Sequence, residues 1–403
     1  MLRVGPFVQH GIMKTILSSG RYHHLARFGI FLIVVAFIIG GAGCDGGNNS
    51  PLPQNLEIRD WHDLDAIRDN LDDNHTLMND LDSATAGYIE LASPTANEGK
   101  GWQPVGSTAV NDTFVGSFDG QGYEIGDLFI NRPDESDVGL FGVVETGGLI
   151  ENVRVVDSNI AGYEAVGSLV AYNRGTVSNS YADSSVTGDL YVGSLVGVNG
   201  GTVNNSYSSS SVIGRDGIGG LGGKNEGTVS NSYSIGTVNG NDFVGGLVGK
   251  NEGTVSNSYS IGTVAGNDFV GDLVGVNGGT VSNSYTSGPV DGSNFVGGLV
   301  GRNEGVVSKC YSTGNVTGDE HVGGLVGQNL YGVVSNSFWD TQTSGRSTSD
   351  GGTGKDTAEM QDIVTFSGAT WDIIEVANLD SRDPSCAWNI VNNMTCPFLS
   401  WQP

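Results

Sequence analysis

Positive charge is the scarcest property of this chain: 18 lysines and arginines stand against 44 aspartates and glutamates in 403 residues, a formal net charge of −26. Such a surface repels nucleic acid and anionic lipid and attracts cations. Histidine is nearly as rare. The six are His10, His23, His24, His62, His75 and His321, and none lies in an H-E-x-x-H zinc helix. The patterns G-x-S-x-G, C-x-x-C and G-x-x-x-x-G-K-[ST] are also missing, so no nucleophile elbow, redox dithiol or phosphate loop is signalled. Charged residues amount to 15%, and Ser, Thr and Asn fill the polar positions instead. The 65 glycines follow no Gly-X-Y triplet, which excludes collagen. What remains suits short strands and tight turns.

Residues 1–43 read as an export signal. Arg3, Lys14, Arg21 and Arg27 are unopposed by any acid, and the apolar run Phe28–Ile39 is shorter than the ~20 residues of a membrane-spanning helix. Met13 is an alternative start that keeps Lys14 ahead of the run. The small residues Gly40-Gly41-Ala42-Gly43 before Cys44 resemble a bacterial lipobox, with Gly41 where that motif usually has Leu. The resemblance implies a lipid on Cys44 and a membrane as partner, with Asp45 at the sorting position; the alternatives are ordinary cleavage or an uncleaved anchor. The chain beyond this segment carries the net −26 plus a further four negative charges. Residues 44–55 form a tether.

From Val166 the chain repeats. The leading apolar residue recurs at Val166, Val192, Ile218, Val244, Val270, Val296 and Val322, each step 26 residues. Tyr181, Tyr207, Tyr233, Tyr259, Tyr285 and Tyr311 keep the same period, followed by Phe338 after one inserted residue. So do Asn173, Asn199, Asn225, Asn251, Asn277, Asn303 and Asn329, and a divergent copy begins at Val138. Each unit holds three short apolar stretches interrupted by Gly and Asn, too short for helices. One unit cannot bury its own apolar face, but stacked units can, each strand pairing with its copy ~4.8 Å away. The expected fold is all-β: a parallel β-solenoid of 26-residue coils, seven of them over 166–338. A β-propeller is the alternative, although its blades need ~40 residues or more.

The segments VGGLVGKNEGTVSNSYSIGTV and VGGLVGRNEGVVSKCYSTGNV resemble the GLUG repeat family. The resemblance covers about residues 138–340, and FVGSFDGQGYEIGDLFI is also typical of such proteins. That family occurs in bacterial adhesins and surface proteins, and beside the catalytic domain of some immunoglobulin A peptidases. It implies an architecture more than an activity, and this chain lacks the zinc motif of those peptidases.

Residues 56–165 are expected to form an N-terminal cap with divergent first coils, and residues 339–403 a C-terminal cap, because solenoid ends expose core. Trp61, Leu64, Ile67 and Leu71 have helical spacing after an N-cap at Asp60, and residues 88–155 switch to strand-like runs. Asp356 and Glu359 are spaced as a capping box for a helix near 356–366. The tail is rich in aromatics, with Trp371, Trp388, Phe398 and Trp401, and could offer a sugar platform. Cys386 and Cys396 are a disulfide candidate in an oxidising compartment, and Cys310 replaces a Ser of other copies as a small buried side chain.

Two columns are candidate sites. Glu164, Leu190, Asp216, Asp242, Asp268, Asn294 and Glu320 precede the leading apolar position by two. Stacking makes Asp216, Asp242 and Asp268 neighbours, which raises their pKa or recruits weakly bound Ca²⁺, with Asn241 and Asn267 as extra oxygen donors. The alternative is a solvated turn. The column Tyr191, Gly217, Phe243, Phe269, Phe295 and His321 is expected to stack as a core ladder rather than an outer stripe. No other cofactor is implied. The reading is an envelope-attached solenoid that binds an extracellular glycan or protein and catalyses nothing. The competing readings are a carbohydrate-active β-helix enzyme and a passive spacer. The constant coil length from 166 to 329 argues against the enzyme, which needs long loops and converging carboxylates.

Overall fold

A computed structural model of the protein describes residues 55–108 and 112–402; the expected export segment, Cys44 and the expected tether up to Gln54 lie outside the described residues. Each coil turns four corners and contributes a strand to each of four sheets. One coil supplies Asp242–Gly245 to the first, Val248–Asn251 to the second, Thr254–Ser256 to the third, and Tyr259–Ser260 with Thr263–Ala265 to the fourth. Every pairing in the array is parallel and steps by one repeat, as in Asp216↔Asp242↔Asp268 and Tyr233↔Tyr259↔Tyr285. Seven strands stack in the first sheet and eight in the second. The parallel solenoid is therefore the fold, and antiparallel blades are excluded.

The interior is a set of apolar columns. Val244, Leu247, Val248, Val255 and Val264 are fully buried, as are their copies in neighbouring coils. Glycine closes the corner between the first two sheets: a Cβ on Gly245 would lie 2.0 Å from the Val248 carbonyl oxygen. The asparagine column is buried as well. Asn225 Nδ2 donates to Asn251 Oδ1 at 2.7 Å, and Asn251 Nδ2 to Asn277 Oδ1 at 2.7 Å, continuing to Asn329. Each amide also donates to the carbonyl two residues on, which satisfies a turn that would otherwise hold an orphaned acceptor. A serine column does the same for N–H groups: Ser232 N donates to Ser258 Oγ, and Ser258 Oγ donates to the Ser256 carbonyl. Cys310 stands in this column, fully buried, and its thiol donates to the Ser308 carbonyl. Burial pushes that thiol up to about 12.

The N-terminal flank extends the array. Leu56–Ile58, Asn74–Leu77 and Ser117–Asp119 add three rungs to the third sheet, giving it eleven strands. Their spacing in sequence is irregular, so the period hides them. Trp61, Trp102, Phe114, Phe118 and Phe141 fill this end. Asp60 caps the helix as expected, accepting from His62 N and Asp63 N, but the α-helix runs only over Trp61–Asp65 before tightening to a 3₁₀ turn.

The C-terminal flank divides in two. Residues 339–355 close the end: Trp339 packs on the core, Ser349 Oγ accepts from Leu325 N and Val326 N, and Thr353–Lys355 pairs as a last rung on Phe338–Asp340. The rest does not cap the end. It lies along the side of the solenoid as a small three-stranded sheet, Ile373–Glu375, Trp388–Ile390 and Phe398–Leu399, against the tyrosine column. The capping box at Asp356 and Glu359 is present, but it starts Thr357–Met360, and a second short helix, Ile363–Ser367, follows with its own cap at Asp362.

Candidate functional site

The acidic column is assembled as its period requires. Asp216, Asp242, Asp268, Asn294 and Glu320 stand in register. Part burial, and then the neighbouring Asp216 and Asp268, raise the Asp242 carboxyl. Three oxygens in or beside the column accept hydrogen bonds within the protein. Asn241 O accepts from Asn267 N at 2.7 Å, Asn267 O from Ser293 N at 2.8 Å, and Asp268 Oδ1 from Asn294 Nδ2 at 2.8 Å. Arg215 lies 3.7 Å from Asp216. Asp216, Asp242 and Asp268 form a half-exposed acidic stripe, and among the described residues no group of three or more His, Cys, Asp or Glu side chains is placed to hold a metal ion.

The neighbouring aromatic column reverses expectation. Phe243, Phe269 and Phe295 are half-buried beside fully buried Val244, Val270 and Val296. They take φ of 56°, 58° and 56°, in the left-handed region. That kink breaks the alternation of a strand, so Asp and Phe both face outward and Val alone faces in. The rings stack along the outside, Phe269 on Phe295 at 4.8 Å and Phe295 on His321 at 4.8 Å.

The tyrosine column is the most elaborated surface. Tyr207 to Tyr311 stack at 4.7–5.1 Å with interplanar angles of 4–14°. In such a stack ring faces cover one another and only edges look out. The C-terminal module sits on its distal half: Tyr311 OH donates to the Pro397 carbonyl, Gln402 Nε2 donates to Tyr285 OH at 2.6 Å, and Trp401 touches Tyr233 and Tyr259. Burial raises the Tyr233, Tyr259, Tyr285 and Tyr311 hydroxyls, and holds Tyr181 up at about 12.

The proximal half, Tyr181 and Tyr207, remains half-buried beyond the reach of that module. Here the stack loses its parallelism. Tyr181 tilts 32° from Tyr207 at 4.4 Å, held by its hydroxyl contact with Ser209 Oγ at 2.6 Å. Arg154 lies over the outer face of Tyr181 at 5.4 Å and pairs with Glu124 at 3.1 Å. Gln121, Asn152 and Asn179 complete a groove of about 300 Å³. Asn152 and Asn179 turn the corner with φ of 56° and 49°. Asn152 Nδ2 donates to Asp119 Oδ1 at 2.9 Å, and the same oxygen accepts from Gln121 N at 2.9 Å. This groove went unread in the sequence. Its signal was the asparagine two residues before Tyr181, Tyr207, Tyr233, Tyr259 and Tyr285, together with the one arginine in that column's divergent coil.

Cys386 and Cys396 are both free. Trp388 pairs antiparallel with Leu399, a register that puts residue 386 opposite Trp401 and not opposite Cys396. Cys396 packs into the aromatic cluster, and Cys386 hydrogen-bonds at Asp372. The aromatic tail likewise serves packing: Trp371, Trp388, Phe398 and Trp401 are turned into the module or onto the tyrosines.

Residues 292–317 match the family model described as the GLUG motif, and the coils on either side stack in register with that one. Halomucin of Haloquadratum walsbyi is 34% identical over 136 residues, 33% of this chain and 1% of its own length. A protein of Evansella cellulosilytica described as a "putative Gly-rich membrane protein" is 34% identical over 121 residues, 29% of this chain and 13% of its own. The chain thus spans a small part of the relatives it matches. A crystal structure described as a "putative immunoglobulin A1 protease" from Bacteroides ovatus superimposes with a TM-score of 0.50 at 19% identity, covering 89% of this chain and 94% of that one. That likeness concerns fold alone.

Proposed function

We propose that this chain is an exported repeat protein, attached to the envelope through a lipid on Cys44, that displays its solenoid flanks to bind an extracellular glycan or protein. The uniformity of the array carries the reading. From Val166 to Asn329 every coil keeps one length and one register. Loops that would build a cleft over converging carboxylates have no place in such an array, whereas repeated side-chain ranks suit adhesion. Halomucin and the Gly-rich membrane protein carry names of surface and membrane proteins, which supports an envelope location. The net charge of −26 disfavours nucleic acid as a partner.

The test is fractionation of cells that express the full chain, followed by protease treatment of intact cells. The reading expects the protein in the membrane fraction, digestible from outside, and released by Cys44→Ala. A soluble, protease-protected protein inside the cell would contradict it.

A further inference from the structure

The groove at the open end of the tyrosine ladder has the chemistry of a saccharide site, and we propose that it binds a neutral extracellular polysaccharide. The proposal rests on the surface-binding reading above and names its ligand class.

Three amide side chains, Gln121, Asn152 and Asn179, converge on one rim. An amide donates and accepts at once, which matches paired hydroxyls on a sugar ring. Tyr181 and Tyr207 line the groove as well. Their faces meet at 4.4 Å and Arg154 covers the outer face of Tyr181, so the rings present their edges, an apolar flank for the C–H groups of a sugar beside the amides. At about 300 Å³ the groove is at the small end of ligand sites and suits a short stretch of chain.

The site is organised before any ligand arrives. Asp119 holds the Asn152 amide, and the left-handed corners fix where both asparagines project. Further along the ladder, later members of the column, Tyr259, Tyr285 and Tyr311, already take a partner: Trp401, Gln402 and Pro397 of the chain's own tail. Amide and aromatic groups therefore suit this surface, and its uncovered part is what remains open to another molecule.

Charge selects a neutral ligand. Arg154 at the end of the groove is already paired with Glu124 at 3.1 Å. The chain as a whole is strongly acidic at −26, so an anionic polymer would be repelled.

The test uses affinity electrophoresis of residues 45–403 in gels containing dextran, mannan, galactan or β-1,3-glucan, with alginate as the acidic polymer. Retardation is expected with at least one neutral polymer, independent of added salt, and not with alginate. The double variant Asn152→Gly with Asn179→Gly removes both amides while keeping residues that accept positive φ. It should weaken retardation about tenfold or more with an unchanged circular dichroism spectrum. Asn283→Gly, at the equivalent corner of a later coil, is the control and should bind as the parent does. Undiminished binding by the double variant would remove the site, and retardation by alginate alone would remove the neutral class. If no neutral polymer retards the protein, the saccharide proposal fails. Adhesion of cells displaying the chain to a protein matrix would in that case leave the surface-binding reading standing.

Discussion

Asp272 Oδ1 accepts a hydrogen bond of 2.8 Å from Ser260 Oγ in the closed interior of the solenoid, at a position where the adjoining coils carry Gly246 and Gly298. Its other oxygen accepts from Gly288 N at 2.8 Å. Among the described residues no charged group acts on it beside that hydroxyl and that N–H. Burial therefore raises its carboxyl well above the usual range, against the smaller pull of the two hydrogen bonds.

The sign of the pH effect follows. A carboxyl whose folded pKa lies above its unfolded one holds its proton more tightly when folded. Its favourable contribution is full below the unfolded value and is lost as pH rises through the folded value. Other carboxyls oppose this. Lys250 and Lys224 lower Glu252, and Lys100 and Arg132 lower Glu135, so these contribute above the unfolded pKa and lose their effect in acid. The comparison with Asp272→Asn isolates the buried group. The variant should match or exceed the parent at pH 7, by on the order of 1 kcal/mol or more, with the gain vanishing toward acid. Urea melts from acid to neutral pH measure it.

The asparagine ladder should be expensive to interrupt. Asn251→Ala leaves buried Asn277 Oδ1 without its 2.7 Å donor, while Asn225 Nδ2 keeps the Gly227 and Thr254 carbonyls at 3.2 and 3.1 Å. One such orphan costs about 1–3 kcal/mol. A urea titration should show the midpoint falling accordingly, and a loss under about 0.5 kcal/mol would mean that water replaces the amide.

Lys309 occupies a corner where other coils carry asparagine, at φ 54° against 47° at Asn283. Asparagine tolerates this region better than lysine. Lys309→Asn should stabilise by a few tenths of a kcal/mol up to about 1, and Asn257→Ala should destabilise by about 1 kcal/mol. Thermal melts of the two single variants check both signs.

Trp388 joins the tail to Tyr285 and Tyr311, with ring centroids 6.1 and 5.9 Å away. Trp388→Ala should cost about 3–5 kcal/mol, felt mainly in the module. Hydrogen exchange should quicken over residues 373–399, while the second-sheet strands Val248–Asn251 and Val274–Asn277 stay protected. Loss of protection through the whole array would mean that the module is integral to the fold.

The period made the array legible, because a parallel stack turns a 26-residue repeat directly into register. The Tyr181, Asn173 and Cys310 positions follow from it. Phe243 did not: a positive φ defeats the alternation on which an inward placement rests. Asp272 looked like one more acid in an acidic chain, and only its column, otherwise Gly or Ser, marks it as interior. The N-terminal rungs were legible only as divergent coils without positions, because Leu56↔His75 and His75↔Phe118 are unequally spaced. The side-on placement of the tail escaped because no local pattern says which surface an aromatic segment will cover. The groove at Arg154 and Tyr181 escaped with it, since it is defined by where that tail stops.

Binding without catalysis is tested most directly by incubating residues 45–403 with the neutral and acidic polysaccharides and measuring retention and chain cleavage in the same samples. The account predicts that a neutral polymer is retained while its reducing-end count and chain length stay constant. New reducing ends, or unsaturated ends from alginate, that accumulate with time and protein concentration would contradict it and make the solenoid an enzyme.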